Sequence, residues 1–318
     1  MTMAIKRKRN SELNEAKTDR ISDLPDCILS HILSFLPTKV AISTSVLSKR
    51  WKPLPLSLTT IDLDDTSFCF RDQPQFSFVT FVYRIFLLRP LDVPVKTFRL
   101  KCETSYGHDV DAWIRGAIQR KAERLDITVP ATVSGLGLWS VVFNCEWLVE
   151  LRLMSVFEMI RGISSPVNLP SLKILRLEGV RFSDYKCFFN VLAGCTNLQH
   201  LVLKDLAFFY ANHNSESYLS FMMNLEKLKI FHYPHPIPTF NNLVHMELNI
   251  LNYNWDLITK MLQNSPKLES LVILKGTPCL NTTCVFHIKD LNSETLLKVK
   301  SGWDRGLESK GRKWKKNV

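Results

Sequence analysis

At 318 residues the chain can bury a large core without a disulfide or a metal. With 46% hydrophobic and 22% charged residues, global disorder is excluded. The most apolar stretch, Phe76 to Leu88, contains Arg84 and falls short of the ~20 residues a bilayer span requires. The net charge is +11, and residues 1–20 hold +3 of it and residues 302–318 another +4. Nucleic acid is therefore not the expected partner, because a nucleic-acid reader carries its basic stripe on a folded face.

The N-terminus has no apolar stretch behind its charges, so no secretory signal peptide is expected. The eight cysteines (27, 69, 102, 145, 187, 195, 279 and 284) include no Cys-x-x-Cys and read as reduced, mostly buried thiols. The expected location is intracellular, in nucleus, cytoplasm or both. Lys6-Arg7-Lys8-Arg9 is similar to a short nuclear-import signal, although a solvated basic tail accounts for it equally well. Residues 1–18 are expected to be a disordered basic tail.

Residues 19–51 have helical periodicity. Pro25 suits a first turn, and Ile28, Leu29, Ile32, Leu33 and Leu36 form an apolar stripe. Pro37 ends that helix, Thr38 is placed to cap a second helix through Val40, Ala41 and Val46, and Ser48 a third turn holding Trp51. A unit of about forty residues is marginal for independent folding. It holds more apolar side chain than three short helices bury internally, so the surplus must meet a partner or the next element. Trp51 and Leu47 are expected inside.

From residue 58 onward the pattern L-x-x-L-x-L recurs. The clearest copies are Leu148-Leu151-Leu153, Leu172-Leu175-Leu177, Leu198-Leu201-Leu203, Leu225-Leu228-Ile230, Leu243-Met246-Leu248 and Leu268-Leu271-Ile273. Leu58-Ile61-Leu63, Val95-Phe98-Leu100 and Ala122-Leu125-Ile127 precede them as weaker copies. Between middle positions the spacings after Phe98 are 27, 26, 24, 26, 27, 18 and 25, mostly within the leucine-rich-repeat range of about 20–29. The first interval, 37, requires an insertion or a longer helix. In each copy the last two apolar positions share one face of a short strand, and stacked copies bury that face in a continuous core. Return helices are expected at 108–118, after Ser183-Asp184 (Phe188, Phe189, Leu192) and after Asn254 (Leu257, Ile258, Met261, Leu262).

The fold class is thus α/β: a short helical unit at 19–57, then a solenoid of about nine copies over 58–275. Its parallel sheet is concave, with helices or loops on the convex side. Residues 276–318 are expected to be an irregular basic extension.

Leu24-Pro25, Ile28-Leu29, Ile32-Leu33-Ser34, Leu36-Pro37 and Val46-Leu47-Ser48-Lys49-Arg50-Trp51 resemble the F-box motif, in the form found in the large plant F-box/leucine-rich-repeat (FBD-type) families. Leu148-Val149-Glu150-Leu151-Arg152-Leu153 and Gly179-Val180-Arg181-Phe182-Ser183-Asp184 are similar to that family's repeats. The resemblance implies a substrate-receptor subunit of an SCF-type (Skp–cullin–F-box) ubiquitin ligase. The F-box would bind a Skp-family adaptor, and through it cullin, while the repeats hold a target protein. On that resemblance the adaptor surface is assigned to Leu24, Pro25, Ile28, Leu33, Leu36 and Pro37. Many relatives carry an FBD region after the repeats, from which residues 276–318 depart.

Catalytic patterns are missing from the sequence. Gly135-Leu136-Gly137 lacks the rest of a phosphate loop, and neither G-x-S-x-G nor H-E-x-x-H occurs. His232-Tyr233-Pro234-His235 reads as a Pro-rich loop rather than a metal site. No cofactor, metal or membrane partner and no enzyme activity in the chain itself are expected. The alternative function is a repeat scaffold no longer coupled to ubiquitination, with a nuclear or nucleic-acid partner.

The residue between each pair of inward positions must point outward: Asp62, Arg99, Asp126, Arg152, Arg176, Val202, Lys229, Glu247 and Val272. Arg99, Arg152, Arg176 and Lys229 are the candidate target-binding residues. Arg152 and Arg176 stand on successive copies and suit capture of an acidic or phosphorylated segment. Glu150 and Glu178 are close enough in sequence to satisfy them internally.

Overall fold

The computed structural model describes residues 21, 23–68, 74–104, 106–130, 138–154, 159–160, 167–208, 237–250, 255–275 and 282–287. Two helices open the chain, α1 (Asp26–Leu33) and α2 (Thr38–Ser43), followed by single 3-10 turns through Ser57. Pro25 and Pro37, both extended, precede them; each fixes φ and ends what comes before it. Thr38 does not cap its own helix. It is the first residue of α2, and its hydroxyl serves another element.

The repeats build a nine-stranded sheet from β1 (Thr60–Asp64), β2 (Thr97–Lys101), β3 (Arg124–Thr128), β4 (Glu150–Met154), β6 (Ile174–Glu178), β8 (His200–Lys204), β10 (His245–Ile250), β11 (Ser270–Lys275) and β12 (Thr282–His287), in that order. The missing numbers, β5 (Met159–Ile160), β7 (Arg181–Phe182) and β9 (Ala207–Phe208), form a second, short parallel sheet beside it. Every neighbouring pair in the large sheet is parallel except β11 with β12. Register is constant: Ile61, Phe98, Leu125, Leu151, Leu175, Leu201, Met246 and Leu271 lie side by side.

The sheet passes directly from β8 to β10, Leu201 beside Met246. Among the described residues eight parallel strands correspond to eight of the nine expected copies, and the remaining copy is Leu225-Leu228-Ile230. The copy itself, with Lys229, lies outside the described residues, as do Asn254, Gly135 to Gly137 and His232 to His235. The extension after 275 is not wholly irregular, since β12 closes the sheet by antiparallel pairing with β11.

Helices return the chain behind the sheet: α3 (Pro74–Leu88), α4 (His108–Gln119), α5 (Leu138–Val142), α6 (Tyr185–Gly194) and α7 (Trp255–Gln263). The fifteen-residue α3 accounts for the long first interval. Asp184 caps α6 as expected, accepting the Cys187 N–H at 2.7 Å. Gly179, in the left-handed region at φ 65°, turns the chain out of β6 and donates its N–H to the Lys204 carbonyl.

One continuous core runs from Ile61 to Ile273 beneath the strands. The N-terminal helices hold a separate one: Leu29, Leu33, Ala41, Trp51, Leu54 and Leu58, with Leu24 and Leu36 packed against it. Polar contacts join the two bodies. The Thr38 hydroxyl accepts the Asp62 N–H, Lys39 lies 4.1 Å over the Phe68 ring, and buried Arg89 donates to the carbonyls of Leu58 and Pro94.

Candidate functional site

Two surfaces stand out, one apolar and one charged. On the N-terminal unit, α1 carries two apolar stripes rather than one. Leu29 and Leu33, four residues apart, face its own core, and Leu33 is 1% exposed. Ile28 and Ile32, also four apart, face outward at 44% each, continued by Phe35 at 74%. Val40, Val46 and Leu47 extend the exposure, the last two at 85% and 65%.

Of the residues assigned to an adaptor surface, Pro25, Ile28 and Pro37 are exposed, and Leu24 and Leu36 are half-buried. Leu33 departs from the surface placement expected of it: it is buried in the unit's own core. Leu47 is the reverse correction, exposed where burial was expected, while Trp51 is internal. Arg50 fixes the unit's entrance, pairing with Asp26 at 2.7 Å and donating to the Leu24 carbonyl.

The second surface is the concave sheet face, a grid of three side-chain rows. Its middle row alternates in sign over the first four strands: Asp62, Arg99, Asp126, Arg152. The flanking rows add Asp64, Lys101, Arg124 and Glu150, giving four acids and four bases. They pair off. Arg99 meets Asp62 at 3.6 Å and Lys101 meets Asp64 at 3.3 Å. Glu150 holds two cations, Arg152 at 2.5 Å and Arg124 at 3.8 Å. Burial raises the Asp126 carboxyl above its ordinary range against the pull of Arg152 and Arg99.

Arg99 and Arg152, two of the candidate target-binding residues, are thus ion-paired with acids of the same face, for Arg152 the Glu150 that its sequence neighbourhood offers. The alternation stops at β6. Arg176 stands beside Arg152 where an acid would continue it, and no described carboxylate lies within ion-pair distance of it. Beyond it, Val202 is buried, contrary to the exposure expected of an outward position. Lys204 pairs with Glu247 at 2.7 Å. The outward-residue list missed the entry row, where His200 and His245 are register partners with ring centroids 5.9 Å apart. Burial lowers His245 below its ordinary value of 6.5, helped by His200 and Arg176 and opposed by Glu247.

Among the described residues no group of three or more His, Cys, Asp and Glu is arranged to hold a metal, and no helix is long and apolar enough to cross a membrane. Cys102, Cys145, Cys187 and Cys195 are buried, and Cys27 is exposed.

Comparison with known proteins matches both parts. The F-box domain model matches residues 21–58, and the model for the repeats of the FBD-associated F-box protein At5g56370 matches residues 110–232. Among curated Arabidopsis thaliana proteins, the F-box/LRR-repeat protein At4g14103 is 38% identical over 201 residues, 60% of this chain and 51% of that one. The F-box/FBD/LRR-repeat protein At4g00160 is 36% identical over 189 residues, 58% of this chain and 41% of that one. The chain thus spans about half the length, or less, of the curated relatives it matches. With an F-box followed by FBD-associated repeats on an α/β solenoid, the chain belongs to the F-box/leucine-rich-repeat proteins.

Proposed function

We propose that this protein is the non-catalytic substrate receptor of an SCF-type ubiquitin ligase, its F-box binding a Skp-family adaptor and its concave sheet face binding a target protein. The observation that carries the reading is the outward stripe of Ile28, Ile32 and Phe35 with Val40, Val46 and Leu47, on a unit that already has a complete core of its own. Burying one such side chain contributes ~1.5–3 kcal/mol, so a few supply most of the energy of an interface. Leu24, Pro25 and Pro37 border the stripe in sequence, and Leu36 packs beneath it. Adaptor and cullin are the partners this reading requires. The domain division it uses is F-box 19–57, repeats 58–275 and a C-terminal extension 276–318.

Affinity purification of the tagged full-length chain, with cullin activity blocked, tests the reading. Adaptor and cullin are expected to co-purify, and the Leu24→Ala, Pro25→Ala double variant is expected to lose both. Recovery of repeat-bound proteins with neither adaptor nor cullin would leave the uncoupled scaffold as the function.

A further inference from the structure

The concave face is balanced on its first four strands and unbalanced on the next two. Glu150, the acid nearest to Arg176 on β4, is committed to Arg124 and Arg152. Glu247 is committed to Lys204. Arg176 is exposed, with the like charge of Arg152 as its register neighbour. His200 lies one strand over and two residues along from Arg176's register mate Val202, roughly 8 Å between Cα atoms, within reach of a long side chain. His245 is the next rung.

We propose that Arg176, His200 and His245 form an anion site that takes a phosphoryl group carried on an extended segment of the target. The inference rests on the reading of the concave face as target-binding and names the chemistry that face selects. A guanidinium offers a planar pair of donors to two phosphoryl oxygens, and two imidazoles supply a third donor and neutralising charge. A lone dianion fits better than a polyanion. A nucleic-acid backbone needs a continuous basic track, and the neighbouring strands offer alternating, self-paired charge instead.

Protonation is linked to occupancy. The charged and titratable groups acting on His245 are Arg176 from β6, His200 from β8 and Glu247 from its own strand; the β11 positions in the two nearest rows are Ser270 and Val272. With the site empty, the cations and burial oppose a charged His245. A bound dianion reverses that sign, so binding takes up protons and tightens as the pH falls through the histidine range.

The test uses fluorescence anisotropy of the full-length chain with a short labelled phosphoserine peptide. Its unphosphorylated form and inorganic phosphate are separate arms. Sulfate, a dianion throughout, serves as competitor at pH 6.0 and 8.0. Only the phosphorylated peptide is expected to bind well. Arg176→Ala should weaken it at least tenfold, while Lys101→Ala, a cation of the same sheet paired with Asp64, should not. Sulfate should compete at least fivefold better at pH 6.0, and His200→Gln with His245→Gln should abolish that gain. Unchanged binding in Arg176→Ala, a pH gain that survives the double histidine variant, or free phosphate binding as tightly as the peptide would each overturn the proposal. Adaptor co-elution is followed in the same samples. Its loss alone removes the ligase reading, and loss of peptide selectivity alone removes the anion site.

Discussion

The Thr38 hydroxyl accepts the backbone N–H of Asp62 at 2.7 Å, joining the second F-box helix to the first strand of the solenoid. β1 is the edge of the large sheet, and its far side would otherwise present unpaired N–H groups. The F-box therefore caps the sheet edge as well as preceding it. Thr38→Val keeps the shape and removes the acceptor. It should cost ~1–3 kcal/mol, the penalty of an unmet buried donor. Thermal unfolding measures the loss, and hydrogen exchange at the Asp62 amide should rise with it.

Gly194, the last residue of α6, shows steric demand overriding helix propensity. Alanine there would gain ~0.5–1 kcal/mol from propensity. Its Cβ, however, would sit 2.5 Å from both the Val167 carbonyl oxygen and Cγ1. Backbone cannot yield as a flexible side chain does, and overpacking costs ~1–3 kcal/mol. Gly194→Ala should lower the melting temperature, and a rise would contradict this packing.

Glu150 neutralises two arginines at once, so Glu150→Gln should release Arg124 and Arg152 beside Arg176. Partly exposed pairs are worth ~0–1 kcal/mol each, and stability should change little. Phosphopeptide affinity should rise about threefold as the local field turns positive, which the same anisotropy titration reads.

The His245 shift fixes a sign for acid sensitivity. Its folded pKa lies below the unfolded one, so near its ordinary 6.5 and below, the unfolded chain binds more protons. This group's contribution to stability is intact at neutral pH and declines as the pH falls through about 6.5, levelling off only below the folded pKa. His245→Gln should flatten the fall in denaturant midpoint between pH 7 and 5.

The strand positions, the Asp184 cap and the burial of Trp51 were all legible from periodicity and capping chemistry. What escaped the sequence depended on facing. A stripe of Ile28, Leu29, Ile32, Leu33 and Leu36 is wide enough to serve two faces, and helical spacing alone does not say which half turns home. Leu33 went in and Ile32 out. Among the described residues Leu47 stays exposed. The outward row was readable as Asp62, Arg99, Asp126, Arg152, Arg176, but its pairing needed the register, which sets an acid beside each of the first two arginines and none beside the third.

In the function proposed above, the outward F-box stripe captures an adaptor while the inward stripe maintains the fold. Size-exclusion chromatography of the full-length chain with a purified Skp-family adaptor tests it most directly. Wild type should co-elute with the adaptor. The Ile32→Ala, Val46→Ala, Leu47→Ala triple variant should elute alone with an unchanged melting temperature, whereas Leu33→Ala should lose ~2–5 kcal/mol of stability. Co-elution undiminished in the triple variant would contradict the account.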